Sequence, residues 1–242
     1  MLLILAPFVG SFLGVLIVRL PRGEPVALSR SRCSYCGHTL GIRDLVPLVS
    51  WLSARRRCRY CGSPLSWFYP NIEAAALLVA AWAATEVSGP ELWVSCLLGW
   101  GLLALAVIDA RHLVLPDKIT LPLLAAGLCA TALLDSPRLA EHAAAAGLGF
   151  AVFWLVGRGY RMFRGREGLG RGDAKLLAAS GAWVSWQGLP GVVLLAAAGG
   201  LVVVLLAAAL GSRPDPARRL PFGPYLCLGT WVIWLYGPIV LH

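Results

Sequence analysis

The sequence predicts an all-α polytopic membrane protein of about eight transmembrane helices, with a small cysteine-rich insert after the first helix. Its 242 residues are 58% hydrophobic and only 14% charged, with a mean hydropathy of +0.74, which is too apolar for a soluble domain. Several apolar stretches reach the roughly 20 residues that span a bilayer. Because lipid offers no hydrogen-bond partners and the alternating pattern of barrel strands is absent, these stretches are predicted to be helices.

Eight apolar stretches are predicted to cross the membrane. They lie near residues 2–18, 71–88, 92–108, 119–135, 142–157, 174–187, 189–210 and 222–241. The first stretch lacks a basic leading region and a small-residue cleavage site, so it is predicted to be a retained helix and not a signal peptide. Three domains follow from this pattern: a first transmembrane helix at 1–18, the insert at 19–70, and a multi-helix transmembrane domain at 71–242.

Basic residues predict the orientation of the spans. Nine arginines lie from Arg19 to Arg59, against only Glu24 and Asp44, and basic flanks stay in the cytoplasm. The N-terminus is therefore expected outside and the insert in the cytoplasm. With eight spans, every basic residue except Arg138 then lies inside or at the inner end of a span. Topology thus explains the net charge of +9, and no nucleic-acid partner is expected; binding of anionic lipid heads is a milder alternative.

The insert contains an internal repeat. The segment CSYCGHTL at 33–40 is matched by CRYCGSPL at 58–65, and in each copy a glycine follows the second cysteine. Glycine permits the left-handed backbone of a metal knuckle, and four thiolates suit tetrahedral Zn²⁺. The predicted zinc ligands are Cys33, Cys36, Cys58 and Cys61.

Other interpretations of the cysteines are a set of four reduced structural thiols or two disulfides. A cytoplasmic location disfavours disulfides. His38 could compete as a ligand, but a fourth cysteine already completes the shell, so His38 is predicted to be a surface residue. Cys96, Cys129 and Cys227 fall singly inside apolar spans, where a thiol usually behaves as a small hydrophobic group.

Two acidic residues sit where a membrane protein rarely places a charge. Asp109 ends an apolar run, and Asp173 follows Gly170-Arg171-Gly172 and opens another apolar run. Ionisable groups at a membrane boundary suggest a function by default. Two crossings separate the aspartates, so both are predicted to return to the cytoplasmic face, where they can meet.

Two carboxylates that meet can hydrolyse a peptide bond. One ionised aspartate takes a proton from water while its protonated neighbour donates a hydrogen bond to the scissile carbonyl. Two carboxylates at such a short distance resist carrying two negative charges, so the pair shares one proton. The glycines before Asp173 remove side-chain bulk and let an extended substrate backbone approach.

Structural roles for the acidic residues stay open. Asp173 could serve only as the N-cap of a helix that starts at Ala174. Asp117 is a still better cap candidate, because Pro116 precedes it and an apolar span follows. Glu73 could be a first-turn acid that favours the helix dipole, or part of a site.

At these residues the sequence resembles the bacterial type IV prepilin peptidases, which are also called leader peptidase and N-methyltransferase enzymes. The match runs along nearly the whole chain. It includes GSFL at 10–13, RLP at 19–21, both cysteine knuckles, PLVSWL at 47–52, Tyr69-Pro70 with Glu73, Ile108-Asp109, LPD at 115–117, Gly170-x-Gly172-Asp173-x-Lys175-Leu176 and PFGPY at 221–225. One departure is Gly14, where the family usually has asparagine.

The resemblance implies an aspartyl peptidase of the bacterial inner membrane, with Asp109 and Asp173 as catalytic pair at the cytoplasmic face. It implies cleavage of prepilins or pseudopilins of type II secretion after the glycine that ends a short basic leader. It also implies methylation of the new N-terminus by S-adenosylmethionine, although no dinucleotide-type glycine fingerprint follows a strand. The residues expected to bind substrate or to support the pair are Gly170, Gly172, Lys175, Asp117 and Glu73.

Two other classes of function stay open from the sequence. Acidic residues at the membrane interface and a cytoplasmic metal-binding insert could belong to a transporter. Transporter sites, however, lie near the membrane midplane in broken helices, whereas these acidic residues lie at the membrane edges. A zinc-dependent assembly scaffold without chemistry is the third reading. Alanine at Asp109 would leave a scaffold working and inactivate a peptidase.

Overall fold

The computed structural model describes residues 1–26, 31–33, 35–165, 169–211 and 220–239. Within these ranges the chain is helical and forms no β-strand. The α-helices are α1 (Leu2–Arg19), α2 (Val49–Ser53), α3 (Phe68–Glu86), α4 (Pro90–His112), α5 (Asp117–Leu134), α6 (Leu139–Arg164), α7 (Arg171–Ala209) and α8 (Gly223–Tyr236). Short 3₁₀ turns lie at Leu20–Arg22, Ile42–Asp44 and Ser136–Arg138.

Five helical segments of the described chain are long and apolar enough to cross a membrane. They are Leu2–Arg22, Pro90–His112, Asp117–Leu134, Ser136–Arg164 and Arg171–Ala209. Helices α3 and α8 coincide with two further predicted spans. They are not among these five, because each is too short or not apolar enough to qualify as a membrane span. The all-α, multi-pass membrane fold predicted from the sequence is thereby confirmed.

Helix α7 covers two predicted spans, 174–187 and 189–210, in one run of 39 residues. The backbone leaves the helical region at Ser185, where φ is 61° and ψ is 179°. A positive φ is strained for any residue but glycine, so the break needs support from neighbouring groups. The Ser185 hydroxyl donates a hydrogen bond to Glu141 of α6, which supplies such support. The two predicted spans are therefore two helical segments joined at a kink.

The chain divides into two compact units, Met1–Ala104 and Leu105–His242. In the first unit, α1 packs closely on α3. A Cβ added at Gly10 would lie 2.6 Å from the Glu73 Cα, so only glycine allows this approach. The Trp100 indole donates a hydrogen bond to the Ala76 carbonyl at 3.0 Å and joins α4 to α3. The predicted three-part division of the chain stays a prediction.

In the second unit, α7 is the central helix and packs against α5, α6 and α8. A Cβ added at Gly181 would lie 2.5 Å from the Ala145 carbonyl oxygen, which places the α6 and α7 backbones in direct contact. The Trp183 indole donates to the Leu123 carbonyl at 2.8 Å, and the Ser180 and Thr230 hydroxyls hydrogen-bond at 2.6 Å. These bonds satisfy polar groups that lipid would leave unpaired.

Candidate active site and metal centre

Asp109 lies in the last turn of α4 and is only 5% exposed. Its Oδ2 accepts a hydrogen bond from the Gly223 backbone N–H at 2.9 Å, at the start of α8. A Cβ added at Gly223 would lie 2.7 Å from the same oxygen, so a side chain there would displace the carboxylate. The α8 N-terminus thus holds Asp109 through a backbone amide.

Asp173 is the third residue of α7. Its Oδ2 accepts a hydrogen bond from the Gly170 N–H at 3.0 Å. The interpretation of Asp173 as the N-cap of a helix starting at Ala174 is wrong, because the helix begins at Arg171 and Gly170 is the N-cap. The carboxylate therefore sits within the first turn, where the amide of Gly170 fixes one oxygen and leaves the other available.

The two aspartates lie close enough to interact electrostatically. Both aspartates also interact electrostatically with the buried thiol of Cys227, which lies on α8 one turn beyond Gly223. Helices α4, α7 and α8 thus converge on one polar spot inside an apolar unit. In a medium of low dielectric constant, two acids at such a spot resist carrying two negative charges together.

Gly172 precedes Asp173 in the first turn of α7 and packs against Leu115. A Cβ added at Gly172 would lie 2.9 Å from the Leu115 Cβ. The Gly-x-Gly-Asp element thereby contacts the Leu-Pro-Asp segment before α5. This contact explains a requirement for glycine at position 172 by packing.

Asp117 and Lys175 form an ion pair, with the Lys175 Nζ 2.6 Å from Oδ1 and 2.7 Å from Oδ2 of Asp117. The prediction that Asp117 caps α5 is wrong, since the N-cap is Pro116 and Asp117 is the first helical residue. Its carboxylate instead reaches across to α7. The pair ties the α5 N-terminus to the turn that carries Asp173.

A cavity of about 370 Å³ lies beside the Gly170 turn. Four basic side chains line it together with exposed aromatic rings of α6. They are Arg158, Arg161, Arg171 and Lys175. The guanidinium of Arg158 lies over the Trp154 ring, 5.4 Å from its centroid.

Glu73 belongs to the first unit and is 5% exposed. Its Oε2 accepts a hydrogen bond from the Leu48 N–H at 2.8 Å, and Ser11 is a second partner. The prediction of a first-turn acid is wrong, because α3 begins at Phe68, one and a half turns earlier. Glu73 is a buried carboxylate, not a partner of the helix dipole.

The cysteine repeat forms two matching knuckles. In the first, Cys33 N–H donates to His38 O and Gly37 N–H donates to Cys33 O, both at 2.9 Å. In the second, Cys58 N–H donates to Ser63 O at 2.8 Å and Gly62 N–H to Cys58 O at 2.9 Å. The two glycines have φ of 69° and 72°, the left-handed conformation predicted from the sequence.

The four sulfur atoms of Cys33, Cys36, Cys58 and Cys61 lie within 4.8 Å of one another, and none forms a disulfide. The Sγ atoms of Cys33 and Cys61 are 3.9 Å apart. Tetrahedral zinc with bonds of about 2.3 Å requires sulfur atoms about 3.8 Å apart. The cluster therefore fits a divalent metal ion of that geometry.

Hydrogen bonds around the sulfur atoms bear on their ionisation. The hydrogen bond with the Ser63 hydroxyl lowers the pKa of Cys61 to about 6. The backbone amide of Cys36 lowers the pKa of Cys33. The His38 amide lowers the pKa of Cys36, but desolvation and the neighbouring thiols outweigh it and raise this pKa to about 11. His38 is exposed, stacks on Tyr60 at 3.6 Å and lies outside the cluster, as predicted.

The sequence interpretation assigned no role to two groups at these sites. Gly223 lies in the PFGPY element that carries part of the resemblance, and it supplies the amide on Asp109. Trp51 lies in the PLVSWL element, and its indole nitrogen is buried without a hydrogen-bond partner among the described residues. Gly14 accommodates the Tyr69 ring, because a Cβ there would lie 2.8 Å from Tyr69 Cδ1.

Two family models match the chain. The model described as bacterial peptidase A24 N-terminal domain matches residues 4–87, and the model of the type IV leader peptidase family matches residues 96–205. No solved structure matches the chain.

Curated relatives named prepilin leader peptidase/N-methyltransferase match most of the chain. The Aeromonas hydrophila protein is 37% identical, covering 95% of this chain and 87% of that protein. The Stutzerimonas stutzeri protein is 35% identical, with 97% and 89% covered. The protein of Burkholderia pseudomallei strain 1026b is 38% identical, with 97% and 84% covered. Identity of this extent, over nearly the full length of both partners, means that this chain belongs to the type IV leader peptidase family.

Proposed function

We propose that this chain cleaves the leaders of type IV prepilins or type II secretion pseudopilins, using Asp109 and Asp173, and then methylates the new N-terminus. The observation that carries the cleavage proposal is the pair of interacting carboxylates from α4 and α7. The names of the relatives, which specify both a leader peptidase and an N-methyltransferase, support the substrate class and both activities.

The proposed cleavage is acid–base chemistry on a water molecule. The ionised member of the pair takes a proton from water, and the resulting hydroxide attacks the scissile carbonyl carbon. The protonated member donates a hydrogen bond to the carbonyl oxygen, and the leaving amine is protonated as the carbon–nitrogen bond breaks. Amides of Gly223 and Gly170 each hold one carboxylate oxygen, which fixes the pair for this reaction.

The supporting roles follow from the contacts. Gly170 is exposed at the carboxylate turn, where an extended peptide can approach, and Gly172 keeps this turn packed against Leu115. Asp117 and Lys175 position that turn through their ion pair. Glu73 lies in the first unit, where it accepts a hydrogen bond from the Leu48 N–H of the same unit.

Zinc is the metal that we propose for the cysteine cluster, with Cys33, Cys36, Cys58 and Cys61 as its ligands. Four sulfur ligands in a closed tetrahedral set are typical of structural zinc. Bound zinc holds the two knuckles together. S-adenosylmethionine is the proposed methyl donor, and its sulfonium methyl group is what it supplies to the new N-terminal amine.

The orientation proposed for the membrane places the N-terminus outside, with the insert and the carboxylate pair at the cytoplasmic face of the bacterial inner membrane. The clustering of arginine and lysine supports it. Reporter fusions after residues 60 and 165 are expected to be active as cytoplasmic fusions, and one after residue 138 as a periplasmic fusion. A periplasmic signal from position 60 contradicts this orientation.

Co-expression with candidate prepilins from the same genome tests both activities at once. We expect a shorter pilin whose N-terminal residue carries one added methyl group, measured by gel mobility and by the mass of the mature N-terminal peptide. An unprocessed pilin contradicts the peptidase proposal. A cleaved pilin with a free amine, despite ample S-adenosylmethionine, contradicts the methylation proposal alone.

The alternatives of a transporter or an assembly scaffold are not favoured. The matched relatives carry peptidase names, and the acids at Asp109 and Asp173 lie at the ends of helices. A transporter site is expected near the midplane of broken helices.

A further inference from the structure

A cavity of about 510 Å³ lies in the first unit, between the cysteine-rich insert and helices α1 and α3. This volume falls in the range of roughly 300–1,000 Å³ that is typical of small-molecule sites. Neither Asp109 nor Asp173 lines the cavity, so the peptidase chemistry does not use it. Its wall includes two metal-cluster cysteines, Cys33 and Cys58.

A buried carboxyl group lies at this cavity. Glu73 lines it and is 5% exposed, and no basic side chain of the described residues forms an ion pair with it. The Leu48 amide and Ser11 hydrogen-bond its carboxylate, but neither neutralises it. A buried carboxylate is costly without a cation, so Glu73 favours a cationic group in the cavity.

A buried hydrogen-bond donor lies at the same cavity. The Trp51 indole packs on Trp67, with ring centroids 4.2 Å apart, and its N–H has no partner among the described residues. Leaving a buried donor unpaired costs stability. Trp51 therefore points to a ligand with an acceptor atom.

Aromatic and basic residues complete the lining. Three tyrosines, which can stack on a planar ring, are Tyr35, Tyr60 and Tyr69. Exposed Arg32 and Arg57 also line the cavity and suit a carboxylate. The ligand indicated by this lining has a buried cation, an aromatic ring system with acceptors, and an anionic group near solvent.

We propose that this cavity binds S-adenosylmethionine, an inference that rests on the proposed N-methylation. The donor combines a cationic sulfonium, an adenine ring with nitrogen acceptors and an α-carboxylate. In this assignment Glu73 supplies the negative charge for the sulfonium. Trp51 donates to an acceptor of the ligand, the tyrosines offer rings for adenine, and the arginines bind the α-carboxylate. The methyl donor is thus held by the first unit, while the peptidase pair lies in the second.

Two ligands that differ in one charge test the assignment. The purified full-length protein is titrated with S-adenosylmethionine and with S-adenosylhomocysteine, which has a neutral thioether in place of the sulfonium. Glu73→Gln is expected to weaken S-adenosylmethionine binding about tenfold and to change S-adenosylhomocysteine binding by less than about threefold. Trp51→Phe is expected to weaken both ligands by about fivefold to tenfold, because the lost hydrogen bond does not depend on charge.

Matched variants outside the cavity serve as controls. Glu91→Gln and Trp93→Phe change exposed residues at the start of α4 in the same unit, and both are expected to bind as the unchanged protein does. Zinc content, measured on every variant, reports whether the insert is folded. A Glu73→Gln protein with full zinc content but equal losses for the two ligands would overturn the role of Glu73.

The test separates the cavity assignment from the proposed methylation. If methylated pilin forms but Glu73→Gln and Trp51→Phe bind the donor normally, the cavity assignment is wrong and methylation stands. If the unchanged protein neither binds the donor nor methylates pilin, both fail. Selective loss of sulfonium binding in Glu73→Gln, together with methylation by the unchanged protein, supports both.

Discussion

Replacing either Asp109 or Asp173 with asparagine is expected to abolish prepilin cleavage. Asparagine keeps the shape of aspartate and can still accept the amide hydrogen bonds of Gly223 or Gly170, but it cannot exchange a proton with water. Loss of a general base or acid commonly costs a hundredfold or more in rate. The measurement is the rate of leader removal from a purified prepilin, with expression level and zinc content unchanged in both variants.

Asp117→Asn is the matched control for this experiment. Asp117 lies in the same unit, and its carboxylate is 2.6 Å from the Lys175 Nζ on a partly exposed surface. Breaking such a pair costs about 0–1 kcal/mol, far less than losing a catalytic proton carrier. Near-normal cleavage by either of the first two variants, or a dead Asp117→Asn enzyme, would show that the catalytic pair is assigned wrongly.

The membrane fold could be predicted because it depends on the length and hydrophobicity of continuous segments, which the sequence gives directly. Uninterrupted apolar stretches have one stable form in lipid, and the kink at Ser185 replaces the predicted break between 174–187 and 189–210. The cysteine knuckles could be predicted in the same way, since the glycine after each cysteine pair takes the expected left-handed conformation. In both cases a local pattern determines a local structure.

The helix ends were predicted less well. Asp117 and Asp173 have the composition of N-caps, yet Pro116 and Gly170 occupy those positions. Asp117 takes its partner from a different helix, the Lys175 ammonium, whereas Asp173 lies at the third helical position and accepts a hydrogen bond from the N-cap amide of Gly170. A single sequence reveals a residue's capacity to cap but not the competing partners that packing brings near.

The cavity in the first unit was beyond the reach of sequence patterns. It is built from α1, α3 and two separate parts of the insert, so its lining residues have no common spacing. The sequence marked Glu73 as a candidate site residue, because it is an acidic residue beside an apolar stretch. It could not show that Leu48 and Ser11 would be the hydrogen-bond partners of the buried side chain. Only the packed unit places the Glu73 carboxyl group and the unpaired Trp51 N–H at one cavity.

Removing the metal ligands is expected to unfold the insert. The double variant Cys33→Ser/Cys36→Ser should lose nearly all bound zinc, whereas the unchanged protein should hold about one ion per chain. The matched control is Cys129→Ser, an exposed thiol on α5 outside the cluster, which should retain its zinc. Elemental analysis measures the metal, and limited proteolysis between residues 31 and 65 measures the order of the insert.

The expected size of this effect follows from how little else holds the insert together. Within its described part the secondary structure is one helix of five residues, two isolated bridges and short turns, so its backbone hydrogen bonds are local and no long helix or sheet holds it together. Structural zinc supplies about 10–16 kcal/mol in small zinc-binding peptides, which exceeds the total stability of many domains. Because Cys33 and Cys58 also line the cavity proposed for S-adenosylmethionine, donor binding should be lost with the metal, while Asp109→Asn should keep both. A metal-free protein whose insert still resists protease would contradict the structural role of zinc.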